Sequence, residues 1–218
     1  MGLTLDLRTA NAELWERMVS HPFVQQLGDG KLPAEKFRRY MLQDYVFLKA
    51  LVKLVALGIA KAPDLEAARH LDGFLSPVLN GEEDLFHRAF ESLGEPGDAG
   101  RLAEPLPTTT AFGSFITSVA YEGSYEEILA CLLVTEGTYV DWAQRLARSG
   151  AAPGNAFYQE WIDIHASEDL GSFVDWLERA LDASPLASAQ APKLQEVFRA
   201  GLYYEVRFWD MAYDGETP

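Results

Sequence analysis

At 218 residues the chain is long enough to bury one sizeable core, and 48% hydrophobic with 12% aromatic residues is the composition of a packed globule. The formal net charge of -15 sets it against two classes of partner, since a nucleic-acid backbone and an anionic membrane surface would both repel it. A single cysteine, Cys131, excludes an intrachain disulfide framework and suits a reducing compartment.

The opening stretch MGLTLDLRTANAELWERM has no basic start ahead of an apolar run, so no secretory signal is expected and the cytoplasm is the expected location. Helical periodicity dominates the chain, with no alternating strands and no hairpin turn. A first helix is predicted over 9–20, stopped by His21-Pro22, and Gly28-Asp29-Gly30 then marks a turn. A long helix follows over 33–62, with Pro33 in its tolerated first turn. Its greasy run is interrupted by Lys49 and Lys53, whose spacing makes one wet stripe on a buried helix and not a membrane span. Pro63 separates this helix from a stretch over 64–93, kinked near Gly73 or Pro77. The segment 94–107 carries three Gly and three Pro and is the clearest loop. Thr108-Thr109-Thr110 is a cap for a helix over 111–121, and Gly123-Ser124 opens another over 125–149. Shorter helices are predicted over 156–165 and 169–181, and a last one over 191–213. No repeat of fixed period intervenes, so the expectation is an all-α, single-domain helical bundle with short connections.

One spacing recurs on three of these helices. Asp44 precedes Phe47, Glu136 precedes Tyr139, and Glu205 precedes Phe208, each by three residues. Residues three apart are neighbours on one helical face, so each acid sits beside a ring within a mostly apolar stretch. A buried carboxylate must be paired, hydrogen-bonded or protonated. Three of them suggest a shared polar pocket walled by rings, suited to a flat heteroaromatic ligand bearing amino groups. Crowded acids also raise one another's pKa values, which prepares one for general acid or base work. The same spacing equally fits surface acids beside a core stripe, with Asp44 and Glu205 paired to Arg38 or Arg207.

Particular motifs add to the spacing. FRRYMLQDYVFL (37–48) resembles the TenA family signature F-x-x-[YW]-x-x-Q-D-[YH]-x-[YF], and YYEVRFWDMAY (203–213) resembles its closing E-x-x-F-W-x-M. His21-Pro22-Phe23 is similar to the family's H-x-F, and Phe157 to Ile162 to its Y-x-x-W-I segment. The matches fall in family order from residue 15 to 213. The resemblance implies a haem-oxygenase-like helical bundle with a pocket in its core. It also implies cofactor-free hydrolysis of thiamine or its breakdown products, releasing hydroxymethylpyrimidine for thiamine synthesis.

The cysteine-bearing branch of that family attacks the pyrimidine from an L-x-P-C-x-x-x-Y segment. Here that segment reads LLVTEGTY (132–139), which puts Thr135 at the cysteine position. A threonine hydroxyl with no base evident beside it is a poor substitute for a thiolate. Glu136 follows directly, and its E-x-x-Y, with AFGSFI (111–116) and IHASEDLGSFV (164–174), resembles the cysteine-lacking branch, TenA_E. That resemblance moves the expected substrate from thiamine to aminopyrimidine and formylaminopyrimidine. It implies that Asp44 binds the ring nitrogen and 4-amino group, Glu205 passes protons to the leaving amine, and Glu136 activates water. Phe47, Phe112, Tyr139 and Phe208 would line the ring slot. His165 falls where the cysteine-bearing branch has tyrosine, and is kept as a substrate-binding candidate. A homodimer or homotetramer is implied as well.

Other residues read more plainly. Cys131 is expected to be a small core residue. His21, His70 and His87 are expected in solvated or capping roles. Di-iron bundles want paired Glu-x-x-His motifs, of which the chain has none, and haem wants a buried axial histidine, which the first helix does not supply before His21, so a metal-dependent oxidase is disfavoured. Glu82, Glu83 and Asp84 read as a solvated acidic turn, with Glu82 within reach of the pocket rim. The alternative to an enzyme is a non-catalytic pyrimidine-binding or regulatory protein on the same fold, motivated by the missing cysteine.

Overall fold

Asn11 divides what periodicity predicts as one opening helix. A computed structural model describes residues 2–217, and of 81–83 the backbone only. In chain order the helices are α1 (Leu3–Ala10), α2 (Ala12–Val19), α3 (Pro22–Gly28), α4 (Ala34–Lys61), α5 (Leu65–Pro77), α6 (Glu83–Ser92), α7 (Ala99–Leu102), α8 (Pro107–Glu122), α9 (Tyr125–Ser149), α10 (Ala156–His165), α11 (Glu168–Ala183) and α12 (Ala187–Asp214). A π-helical turn, Val78–Glu82, joins α5 to α6. No strand occurs among the described residues, and no helix of theirs is long and apolar enough to cross a membrane.

The departures from the predicted elements have local causes. The opening helix starts six residues early and breaks at Asn11, whose side-chain amide donates to the Leu7 carbonyl at 2.8 Å. His21-Pro22 ends α2 but also starts α3: Pro22 takes the first helical position, where a missing N–H is tolerated, and His21 Nδ1 caps the Phe23 N–H at 3.1 Å. The expected kink falls at Pro77, where the chain switches to the wider π turn. The acidic stretch 82–84 is helical backbone, with Asp84 bonded to Arg88, and the expectation for the Glu82 side chain lies outside the described residues. Within the loop 94–107, α7 forms one short turn of helix.

The chain separates into two compact units, neither contiguous in sequence. The first comprises the residues up to Lys31 together with Gly123–Val206. Its centre is α9, on which α2, α10 and α11 pack, with α1 against α11 and α3 against α10. Residues 128–140 of α9 are buried on every side, as a helix with no polar face must be. A capping box starts it: the Ser124 hydroxyl accepts from the Glu127 N–H, and the Glu127 side chain accepts from the Ser124 N–H. Gly150 ends it in the left-handed conformation, φ 75°. Asp141, near the C-terminal end of α9, accepts from Arg8 at 2.6 Å, Trp15 Nε1 at 2.7 Å and Arg145 at 2.8 Å, and so ties α1 and α2 to α9.

The second unit comprises Leu32–Glu122 and the segment from Arg207 onwards. Here α4 is central, packed by α5, α6, α7 and α8. Lys49 and Lys53 lie on its wetted stripe as the spacing predicts. Gln43, 5% exposed, fastens the end of the 94–107 loop: its amide donates to the Glu104 carbonyl, and its oxygen accepts from the Leu106 N–H and the Thr109 hydroxyl. The threonine triplet does not cap α8 from outside, because the helix already starts at Pro107. The acceptor at this N-terminus is the Glu216 carboxylate, which takes the Thr108 N–H and hydroxyl at 2.9 Å each.

Candidate active site

In the second unit α4 carries Asp44 and Phe47, α8 carries Phe112, and the end of α12 carries Phe208. The three phenyl rings pack on one another, with centroids 4.5 Å apart for Phe47–Phe112, 5.8 Å for Phe47–Phe208 and 6.3 Å for Phe112–Phe208. Tyr40 extends this aromatic cluster through Phe208 and Trp209. Asp44 lies one turn after Tyr40 on α4 and is 8% exposed. Burial pushes its carboxyl up from 3.8 to about 7, against the opposing hydrogen bond from the Tyr40 phenol. Near neutral pH such a group is divided between acid and carboxylate, so it can both donate to and accept from a heterocycle's polar edge. Phe47 and Thr109 also line an open groove of about 460 Å³ that carries Lys49 and Lys53.

In the first unit α9 supplies Cys131, Thr135, Glu136 and Tyr139, α10 supplies His165, and α12 supplies Glu205. Glu136 is 8% exposed and Glu205 3%. The fully buried Cys131 thiol is pushed far above its ordinary value, first by desolvation and then by the charges of Glu205 and Glu136. Both carboxylates are therefore within electrostatic reach of one thiol, which stays protonated and is no nucleophile. Thr135 donates its hydroxyl proton to Glu136 Oε1 at 2.9 Å.

His165 is 7% exposed within a ring of aromatics, its centroid 4.5 Å from Trp161, 4.9 Å from Tyr139 and 5.7 Å from Trp142. Desolvation drives its pKa down from 6.5 to about 4, so the imidazole is neutral at physiological pH. The Trp161 carbonyl, 2.8 Å from Nδ1, accepts that nitrogen's proton, which fixes the neutral tautomer with Nε2 as the acceptor.

Four of the eight residues expected at the site thus fall in the second unit, where Phe47, Phe112 and Phe208 meet and Asp44 lies one turn from Phe47. Four fall in the first, where the charges of Glu136 and Glu205 both act on Cys131 and Tyr139 meets His165. The reading of Asp44 and Glu205 as surface acids is overturned by their burial: Arg38 engages Glu95 instead, and Arg207 points to solvent. Two contributors escaped the sequence reading. Tyr40 was visible as an aromatic one turn before Asp44, whereas Thr135, a poor nucleophile on its sequence, donates its hydroxyl to the Glu136 carboxylate. His70 is exposed, while His87 is half-buried with its ring 6.4 Å from Tyr45. Among the described residues no three His, Cys, Asp or Glu side chains are arranged to hold a metal ion.

A family profile described as TENA/THI-4/PQQC matches residues 9–215. The chain is 37% identical to the "Aminopyrimidine aminohydrolase" of Halalkalibacterium halodurans, over 98% of this chain and 96% of that protein. Among solved structures it superposes on a TenA homologue of P. horikoshii OT3 with a TM-score of 0.90 at 27% identity, covering 99% of this chain and 100% of that one. Haem oxygenase-1 of Synechocystis matches with a TM-score of 0.66 at 14% identity over 96% of this chain and 91% of that one, so the fold is haem-oxygenase-like.

Proposed function

We propose that this chain, which belongs to the TENA/THI-4/PQQC family, hydrolyses thiamine-derived aminopyrimidines and so returns hydroxymethylpyrimidine to thiamine synthesis. Support comes from the named relative, an aminopyrimidine aminohydrolase alike over nearly its whole length. The single observation that carries the chemistry is Asp44, a buried carboxyl held near neutrality beside an aromatic cluster. Its two oxygens match the ring nitrogen and the adjacent 4-amino group of an aminopyrimidine, and the half-titrated proton suits a ring nitrogen that is basic. Phe47, Phe112 and Phe208 offer rings to stack against the heterocycle.

On this reading Glu136 takes a proton from water, and the hydroxide displaces the amine at the exocyclic methylene. Glu205 gives the departing nitrogen its proton, so water and aminomethyl-pyrimidine yield hydroxymethyl-pyrimidine and ammonia. With formylaminopyrimidine the same pair would hydrolyse the formamide and release formate. Tyr139 and the neutral His165, whose Nε2 is an acceptor, are kept as substrate-binding candidates within the first unit. The protonated Cys131 takes no part.

E205Q separates this reading from a non-catalytic pyrimidine binder. Turnover of aminopyrimidine should fall by about 100-fold or more while binding, read by calorimetry, changes little. Unchanged ammonia release would remove Glu205 from the mechanism. We also take the chain as one domain, supported by the span of the family match. A homodimer or homotetramer in the cytoplasm is the companion proposal, supported by the family resemblance and the single cysteine.

A further inference from the structure

Thr135 stands where the cysteine-bearing branch has its nucleophile, and its hydroxyl has one proton to give. A threonine inside a helix commonly returns that proton to the carbonyl three or four residues back. Thr138, also buried on α9, does so: its hydroxyl donates to the Val134 carbonyl at 2.9 Å. Thr135 has such an acceptor too, the Leu132 carbonyl, but at 3.3 Å. Glu136 Oε1 is closer, at 2.9 Å, and as a carboxylate it is the stronger acceptor. The proton is drawn away from the backbone and onto the side chain that follows. Both partners are buried, at 4% and 8% exposure, so water competes little for the bond.

We propose that Thr135 is a positioning residue for Glu136: the hydroxyl that replaces the thiol holds the carboxylate that takes over its task. The inference rests on the reading of Glu136 as the water-activating group. Untethered, a glutamate side chain samples many rotamers. Activation of water needs it within hydrogen-bond distance of one water, and small misplacements at a reacting centre are expensive in rate. A bond to Oε1 fixes the carboxylate plane and aims its remaining lone pairs. Loss of the cysteine and gain of the glutamate are then one coupled change. A cysteine at 135 would give only a weak S–H donor, and a valine none.

The test is a double-mutant cycle on the full chain with aminopyrimidine as substrate, thermal unfolding confirming that each variant is folded. T135V, nearly isosteric, should lose roughly 10- to 100-fold in kcat with KM within about threefold, as expected for one buried hydrogen bond to a charged group. T135S, which keeps the donor, should stay within about threefold of the parent. E136Q should fall further than T135V, and T135V on top of E136Q should cost nothing more. If T135V does not fold, T135A takes its place in the cycle. Turnover undiminished in T135V while E136Q collapses would overturn the positioning role alone, as would T135S falling as far as T135V, or losses that add. T135V falling as far as E136Q or beyond would overturn it in favour of Thr135 as nucleophile. Full activity in E136Q would instead remove the reading on which the inference stands.

Discussion

Asp44 shows how a single residue trades stability for a usable proton. Its folded pKa of about 7 lies above the ordinary 3.8, so the folded chain binds this proton more tightly than the unfolded one. The resulting stabilisation is fully present below about pH 3.8 and is lost as pH rises through 7. His165 has the opposite sign: its pKa is lowered to about 4, so its contribution is present above 6.5 and is lost as pH falls to 4. The two oppose each other in the acid range, and only substitution separates them. D44N removes the buried charge, worth on the order of 4 kcal/mol in alkali. It should melt several degrees above the parent at pH 8, with the gap closing towards pH 5, and should bind aminopyrimidine poorly. A D44N melting point below the parent's at pH 8 would show that the carboxylate is stabilised by contacts that outweigh its desolvation. The residue types of the candidate site could be picked out in the sequence because an acid and a ring three apart need only helical geometry to become neighbours. What raises Asp44 is burial, and what turns the Thr135 proton is the difference between 3.3 and 2.9 Å, neither of which a one-dimensional pattern carries.

At the scale of elements, local signals placed helices well and distant partners placed them poorly. The predicted helix over 125–149 coincides with α9, because Ser124 with Glu127 and the final Gly150 are start and stop signals within the segment itself. The start of α8 was misread because its acceptor, Glu216, is 108 residues away along the chain. Similarly, nothing near Gly30 in sequence shows that a Cβ there would lie 2.0 Å from the Pro153 carbonyl oxygen. The Glu216 cap should be measurable on its own. E216A removes an acceptor for the Thr108 N–H and hydroxyl and a negative charge from a helix N-terminus, a loss of about 1–2 kcal/mol. Chemical denaturation should show a lower midpoint with the slope unchanged. An unaltered midpoint would mean that Thr108 finds an equivalent acceptor without it.

For the molecule as a whole, the all-α class followed from helical periodicity and the family from motifs in chain order. The division into two non-contiguous compact units did not, since periodicity says nothing about which distant segments pack together. The proposed choice of substrate turns on Thr135, which offers no thiolate. On that proposal Glu136 and Glu205 suit a substrate that loses an amine, from the exocyclic methylene or from a formyl carbon, rather than a thiazolium. The direct test is to offer purified protein thiamine, aminopyrimidine and formylaminopyrimidine separately, and to follow pyrimidine products, ammonia and formate. The account predicts kcat/KM for aminopyrimidine or formylaminopyrimidine at least about tenfold above that for thiamine. Thiamine cleaved as efficiently as either, or all three bound without product, would contradict it.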